Sequence, residues 1–279
     1  MNLRFVTLVF VLLSTMSSSS QDLRLMTYNI RYATEKDGQD QWELRKDNVC
    51  SLISEANPDI FGIQEGLSEQ TNFIKHKIAE YAYVGVGRDD GISKGEYCAI
   101  YYKSARIELL HSETFWLSET PDVPSLGWDA AYPRICTAAM FSLKSEDIKF
   151  WVFNTHFDHV GEVARQKSAE LILSKIRQIN VSAHPIVLMG DFNLLENSNP
   201  IQHILSELND TYSADEVKSE GPGATFNGFD LSSVPDQRID YIFSSRKGLK
   251  VLKTTIIDTK IKQRYPSDHF PVYTELEFK

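Results

Sequence analysis

Apolar positions recur along this chain with two periods, and the switches between them mark out its elements. Residues 22–30, with LRLMTYN at their centre, run as a buried strand. WELRKDNVCSLISEANPD then carries Leu44, Val49, Leu52, Ile53 and Ala56 at helical spacing. Pro58 ends that helix, because its ring disfavours the helical conformation in the residue before it. The apolar strand DIFGIQE follows at once. The pattern next predicts a helix over 68–79 and strands near 81–87, 97–102, 106–117, 134–143 and 148–155. GEVARQKSAELILSKIRQIN is an amphipathic helix with Ala169, Ile172, Ile176 and Ile179 on one face. A strand at 185–190, short helices near 198–208 and strands near 239–244, 249–258 and 271–278 complete the chain. Helices alternate with strands early and strands follow in succession later, which fits mixed sheets flanked by helices. The pattern alone separates no further than α/β or α+β.

Polar clusters sit at the ends of six of these strand-like runs: Asn29; Gln64 with Glu65; Asn154, His156 and Asp158; Asp191 with Asn193; Asp240; and Asp268 with His269. Each alone has an ordinary explanation, since Asp and Asn after a strand commonly form turns or cap helices. Together they are too far apart in sequence to be local neighbours. They converge only if the strands lie side by side and empty onto one rim. Carboxylates, carboxamides and histidines gathered there suit metal-assisted hydrolysis of a phosphoester.

The N-terminus qualifies the domain picture. Arg4, an apolar run from Phe5 to Leu13 and a stretch of small polar residues read as a signal peptide over residues 1–20, too short in its apolar part to span a bilayer. No Cys lies near the expected cleavage point, so the expectation is a secreted or periplasmic protein without a lipid anchor. Residues 21–279 then form a single domain, with no linker, repeat or low-complexity break. No second apolar stretch reaches membrane length. Cys50, Cys98 and Cys136 fall in apolar or helical runs, which favours buried thiols over a disulfide framework. A bridge between Cys98 and Cys136 stays open if their strands are adjacent.

Net charge is -9, and loss of Arg4, the one charged residue of the leader, leaves -10. Proteins that hold long duplex DNA present basic surfaces, so that substrate is disfavoured.

The local sequences around the clusters, in their order, resemble the endonuclease/exonuclease/phosphatase (deoxyribonuclease I-like) superfamily over residues 22–279, and within it a bacterial secreted subgroup. The resemblance implies a four-layer αββα sandwich of two mixed sheets flanked by helices, with the site at one end of the paired sheets. It implies Mg²⁺, with Mn²⁺ an alternative, held by Glu65 with Asn29 and Asp268 nearby. Asp191 would take the proton of the attacking water or hold that water as a metal ligand, and Asn193 would donate to a phosphate oxygen. His156 and His269 would bond the phosphoryl group, with Asp240 orienting His269. Glu96 in KGEYCAIYY matches the Glu that partners the first His in the deoxyribonuclease branch, and Arg134 matches an arginine that contacts phosphate. Asp158, two residues beyond His156, is expected on the same strand face, aiding a metal or a substrate hydroxyl. The segment 115–134 places Trp116, Trp128 and Tyr132 near the site, where rings either stack on substrate or pack against the sheet edge.

The leading expectation is therefore an exported, monomeric, metal-dependent phosphodiesterase acting on a nucleotide, a single-stranded oligonucleotide or another small diester. Local motifs also approach the deadenylase branch, which makes 3′-to-5′ exoribonuclease action an alternative. A phosphomonoesterase with the same metal and histidines is another. A non-catalytic binding module predicts loss of Glu65, Asp191 or His269, and all three are present.

Overall fold

A computed structural model describes residues 22–214 and 217–279. The segment read as a signal peptide lies outside the described residues. The chain opens with strand β1 (Asp22–Asn29), a short 3-10 segment over 35–40, helix α1 (Trp42–Ala56), β2 (Ile60–Gln64), α2 (Ser68–Lys77), β3 (Tyr81–Val84) and β4 (Ile100–Lys103). It continues through β5 (Ile107–Trp116), β6 (Ile135–Leu143), β7 (Ile148–His156), α3 (Glu162–Ile179), β8 (Ile186–Asp191) and α4 (Asn199–Glu207). Strands β9 (Leu208–Asp210), β10 (Lys218–Glu220), β11 (Asp240–Ser245), β12 (Leu249–Ile256) and β13 (Val272–Phe278) follow.

Seven strands make one sheet in the order β10-β12-β13-β1-β2-β4-β3, and six make the other in the order β5-β6-β7-β8-β11-β9. Both are mixed: β1 pairs parallel with β2 and antiparallel with β13, while β8 pairs parallel with β7 and antiparallel with β11.

Side-chain alternation sorts the core into layers. Leu23, Leu25 and Ile60 face Phe141, Val152, Val187, Met189 and Ile242 between the sheets. The intervening Met26, Tyr28, Phe61 and Ile63 pack under Val49, Leu52, Ile53 and Ile74 of α1 and α2. Phe153, Leu188, Tyr241 and Phe243 meet Ala169, Ile172 and Ile176 of α3. Strands covered on both faces have no solvent side, which is why they read as near-continuous apolar runs. The result is helix, sheet, sheet, helix: the expected αββα sandwich.

The same parity positions the site. Asn29 shares its strand face with Leu25, Asp191 with Met189, His156 with Val152 and Asp240 with Ile242, so all four point into the gap between the sheets at one end of the core.

Two expectations change here. Gln64 and Asn154 do not reach the rim. Gln64 donates to Asn154 Oδ1 at 2.6 Å, and Asn154 donates to the carbonyls of Ile63 and Ala99 at 2.9 Å, a buried polar tie between sheets. Strands β9 and β10 escaped the pattern because three-residue edge strands carry no readable alternation. All three cysteines are buried free thiols. Among the described residues no helix is long and apolar enough to cross a membrane.

Candidate active site

Four strands end at the site and two begin beside it. Asn29, Glu65, His156 and Asp191 lie at the C-terminal ends of β1, β2, β7 and β8, Asp240 opens β11, and Asp268 and His269 precede β13. The register aligns Asp191 with His156 on one side and with Asp240 on the other. Glu65 and Asn193 both hold left-handed backbone (φ 63° and 50°), a strained turn that re-aims the chain directly after a strand. Gly190 allows the final close approach of β8 to β7: a Cβ there would sit 2.0 Å from the Thr155 carbonyl oxygen.

Asn29 joins the two sheets. Its Nδ2 donates to Glu65 Oε1 at 3.1 Å and to Asp191 Oδ2 at 2.9 Å, while its oxygen accepts from the Arg31 amide at 3.0 Å. The residue expected as a metal ligand thus braces two carboxylates.

Asp191 Oδ2 faces both imidazoles, 3.5 Å from His156 Nε2 and 3.8 Å from His269 Nε2. Burial, and then the neighbouring Asp240, raise the Asp191 carboxyl to about 7. The histidines are driven apart. Burial opposes charging of His269, but Asp240 and Asp191 outweigh it and raise its pKa well above the ordinary value, with Nδ1 2.8 Å from Asp240 Oδ2. His156 is held well below the ordinary value by burial and by the charges of Arg134 and Arg88. One ring is a charged donor; the other is neutral, with Nδ1 facing Arg134 and Nε2 3.0 Å from Asn193 Nδ2.

Around His156 the arrangement departs from expectation. Glu96 is in the cleft, but its carboxylate accepts from Arg88 at 2.6 Å and stands 3.8 Å from His156 Nδ1, too far for a hydrogen bond. Arg134 takes that place, with Nη1 3.1 Å from Nδ1. Its Nε and Nη2 reach Asp158 and His159, so this buried fork, which also lines the cleft, holds three protein groups.

Asp158 is not among the residues that line the cleft. Strand β7 ends at His156, so alternation does not extend to residue 158. The Asp158 carboxylate accepts from the amides of Ala131, Val160 and Gly161 as well as from Arg134. Trp116 is buried and donates to the Arg88 carbonyl at 2.7 Å. Trp128, whose amide donates to Glu119, is absent from the cleft walls, and Tyr132 is the aromatic of that segment that lines them.

The cleft has a volume of about 610 Å³ and exposes His159 as well as Arg31, Tyr32, Arg88, Phe226 and Gln237, the last five unforeseen from sequence. Arg31 follows Asn29 closely, but nothing in its spacing distinguishes it from a surface arginine. It forms a paired contact with Asp37 at 3.1 Å and lies 3.9 Å from Glu65 and 3.8 Å from Asp268. A depression of about 680 Å³ at the other end of β11, lined by Asp210, Arg246 and Lys250 among others, gathers no comparable set.

Two acidic groupings could hold a cation. Asp191, Asp240 and His269 place ligand atoms within 4.8 Å of one another. His269 Nδ1 is already committed to Asp240, however, and a hard cation prefers oxygen donors. Glu65 and Asp268, carboxylates on the opposite wall, fit such a cation better. Asp268 is raised from its ordinary value by burial, opposed by His269 and reinforced by Glu65.

The fold and this constellation define a metal-dependent hydrolase acting on phosphoester bonds. Residues 26–269 match the endonuclease/exonuclease/phosphatase family, and the chain belongs to it. A mannosyl-6-phosphatase from Bacteroides thetaiotaomicron is 37% identical, with TM-score 0.87, over 92% of this chain and 100% of that one. A family member from Bacteroides vulgatus is 38% identical with TM-score 0.87, over 92% and 99%. An uncharacterised mimivirus protein, L388, is 36% identical over 160 residues, which is 55% of this chain and 59% of that protein.

Proposed function

We propose that this chain is a Mg²⁺-dependent phosphomonoesterase acting on a small phosphorylated sugar, exported from the cell. The carrying observation is the cleft: its volume of about 610 Å³ falls in the range that encloses small ligands, roughly 300–1,000 Å³, and the reactive groups lie together in it. The similarity to a mannosyl-6-phosphatase supports a sugar phosphate over the diester favoured by motifs alone. The apolar pattern near the N-terminus supports export.

Glu65 and Asp268 would hold the cation, braced by Asn29. A cation held there would supply positive charge to the phosphoryl group and its leaving oxygen. Asp191 orients the attacking water and accepts its proton. The raised pKa of its carboxyl suits that task. His269, charged through Asp240, donates to a phosphoryl oxygen, while Asn193, whose Nδ2 lies 3.0 Å from His156 Nε2, donates from the β8 side.

The test is product release by the purified protein with Mg²⁺, Mn²⁺ or EDTA. The substrates are a hexose 6-phosphate, bis-p-nitrophenyl phosphate and a labelled single-stranded RNA. Metal-dependent release of phosphate from the hexose 6-phosphate, well above turnover of the other two, is expected. Preferred cleavage of the diester or the RNA would return the protein to the phosphodiesterase or exoribonuclease reading.

A further inference from the structure

We infer that Tyr132 and His159 form a subsite for the sugar ring of the leaving group, and that Arg134 sets the tautomer with which His159 reads a ring hydroxyl. The inference rests on the phosphomonoesterase reading and deepens it.

Arg134 carries donors only. Its Nη1 lies 3.1 Å from His156 Nδ1, its Nη2 3.1 Å from His159 Nδ1, and its Nε 3.2 Å from Asp158 Oδ1. The His159 nitrogen facing it must therefore accept, which leaves the ring proton of His159 on Nε2; His156 differs, since its Nε2 lies 3.0 Å from a second donor, Asn193 Nδ2. Asp158 keeps the fork in place through the amides of Ala131, Val160 and Gly161. One buried guanidinium thereby aims the His159 N–H donor away from itself. His156 is enclosed beside Asp191, whereas His159 is exposed in the same cleft.

His159 stacks on Tyr132, with centroids 6.0 Å apart and planes 16° from parallel. Tyr132 is 52% exposed and has the Arg88 guanidinium 5.4 Å from its centroid. Arg88 is in turn tied to Glu96. Phe226, another exposed ring of the cleft, meets His269 edge-on at 5.1 Å. An aromatic face suits the C–H face of a pyranose. An uncharged N–H donor beside it suits a hydroxyl and offers nothing special to a second phosphate, which a free arginine or lysine would attract. The cleft therefore presents a ring-and-hydroxyl reader next to the phosphoryl donors.

The experiment compares kcat/KM for a hexose 6-phosphate with that for the ringless glycerol 3-phosphate in wild type, Tyr132→Ala, His159→Ala, His159→Gln and Arg134→Lys. Nitrogen-15 NMR of the histidine side chains accompanies it. The hexose-to-glycerol selectivity ratio should fall about tenfold or more in Tyr132→Ala and His159→Ala, mainly through KM for the hexose phosphate. His159→Gln, which keeps an N–H donor near the Nε2 position, should recover part of it. In Arg134→Lys the Nε2–H signature of His159 should give way to a tautomer mixture, and selectivity should drop with it. Equal losses on both substrates, or an unchanged ratio, would overturn the subsite. An unaltered His159 spectrum in Arg134→Lys would overturn the positioning role. Wild-type silence on both monoesters would instead sink the reaction assignment and the sugar subsite with it.

Discussion

Arg134 stands 3.1 Å from Nδ1 of His156, in the place where an acidic partner was expected. A carboxylate there would favour a charged imidazole, and a guanidinium forbids it. The charged role falls to His269, whose Nδ1 is 2.8 Å from Asp240 Oδ2. The two imidazoles facing Asp191 thus differ in charge, a difference set by their partners and not by residue type.

Removal of the Asp240 charge tests that division. In Asp240→Asn the ring of His269 keeps a neighbour but loses its counter-ion, and kcat should fall by about 10²- to 10⁴-fold, the usual worth of a positioned acid or base. Steady-state kinetics with a monoester, alongside a melting curve to show an intact fold, provide the check. Full turnover in this variant would exclude a charged His269 from the reaction.

Glu65→Gln keeps the size of the side chain and removes its charge. Turnover should drop roughly a thousandfold, equivalent to about 4 kcal/mol of lost transition-state stabilisation. The rise in melting temperature on adding Mn²⁺ should shrink as well. A wild-type thermal response to Mn²⁺ would remove Glu65 from the cation site.

Gly190→Ala places a methyl 2.0 Å from the Thr155 carbonyl oxygen and forces β8 away from β7 just before Asp191. Overpacking of this kind costs about 1–3 kcal/mol. Urea denaturation should report that loss, and kcat should fall with it because Asp191 and Asn193 leave register. A variant that is fully active and fully stable would show that the strand ends tolerate separation.

Far from the cleft, buried Asp59 accepts from the Arg24 amide at 2.9 Å, from the Arg24 side chain at 3.0 and 3.2 Å and from Arg106 at 2.5 Å. Burial opposes its ionisation, but the hydrogen bonds from Arg24 and the charge of Arg106 prevail, and its pKa is lowered. The unfolded carboxylate titrates near 3.9, so the folded state binds this proton less readily. Its contribution to stability is present above about pH 4 and is lost as pH falls through the lower folded value. Unfolding free energy measured from pH 7 down to pH 3 should decline in wild type, and Asp59→Asn should show a lower plateau with a shallower decline. Parallel curves would assign the acid sensitivity to other groups.

Much of this protein is written in local sequence. The doubly covered strands, the three longer helices and the polar clusters Glu65, Asp191, Asp240 and His269 were legible because burial on both faces demands unbroken apolar runs, and because chemistry placed at strand ends interrupts them abruptly. What was not legible depends on which side chains meet across the fold. Asn154 and Asp158 flank His156 by two residues each, yet one ties the sheets together and the other anchors a loop. Parity along a strand predicts a face, and it lapses where the strand stops. Arg134 was legible as a residue suited to phosphate, but its contacts to Asp158 and two histidines were not. The sequence by itself determined the residue types and the strands that carry them. Tertiary structure decided their pairings, since hydrogen-bond partners and burial are properties of neighbours in space, and these can lie 238 positions apart, as with Ser267 and Asn29.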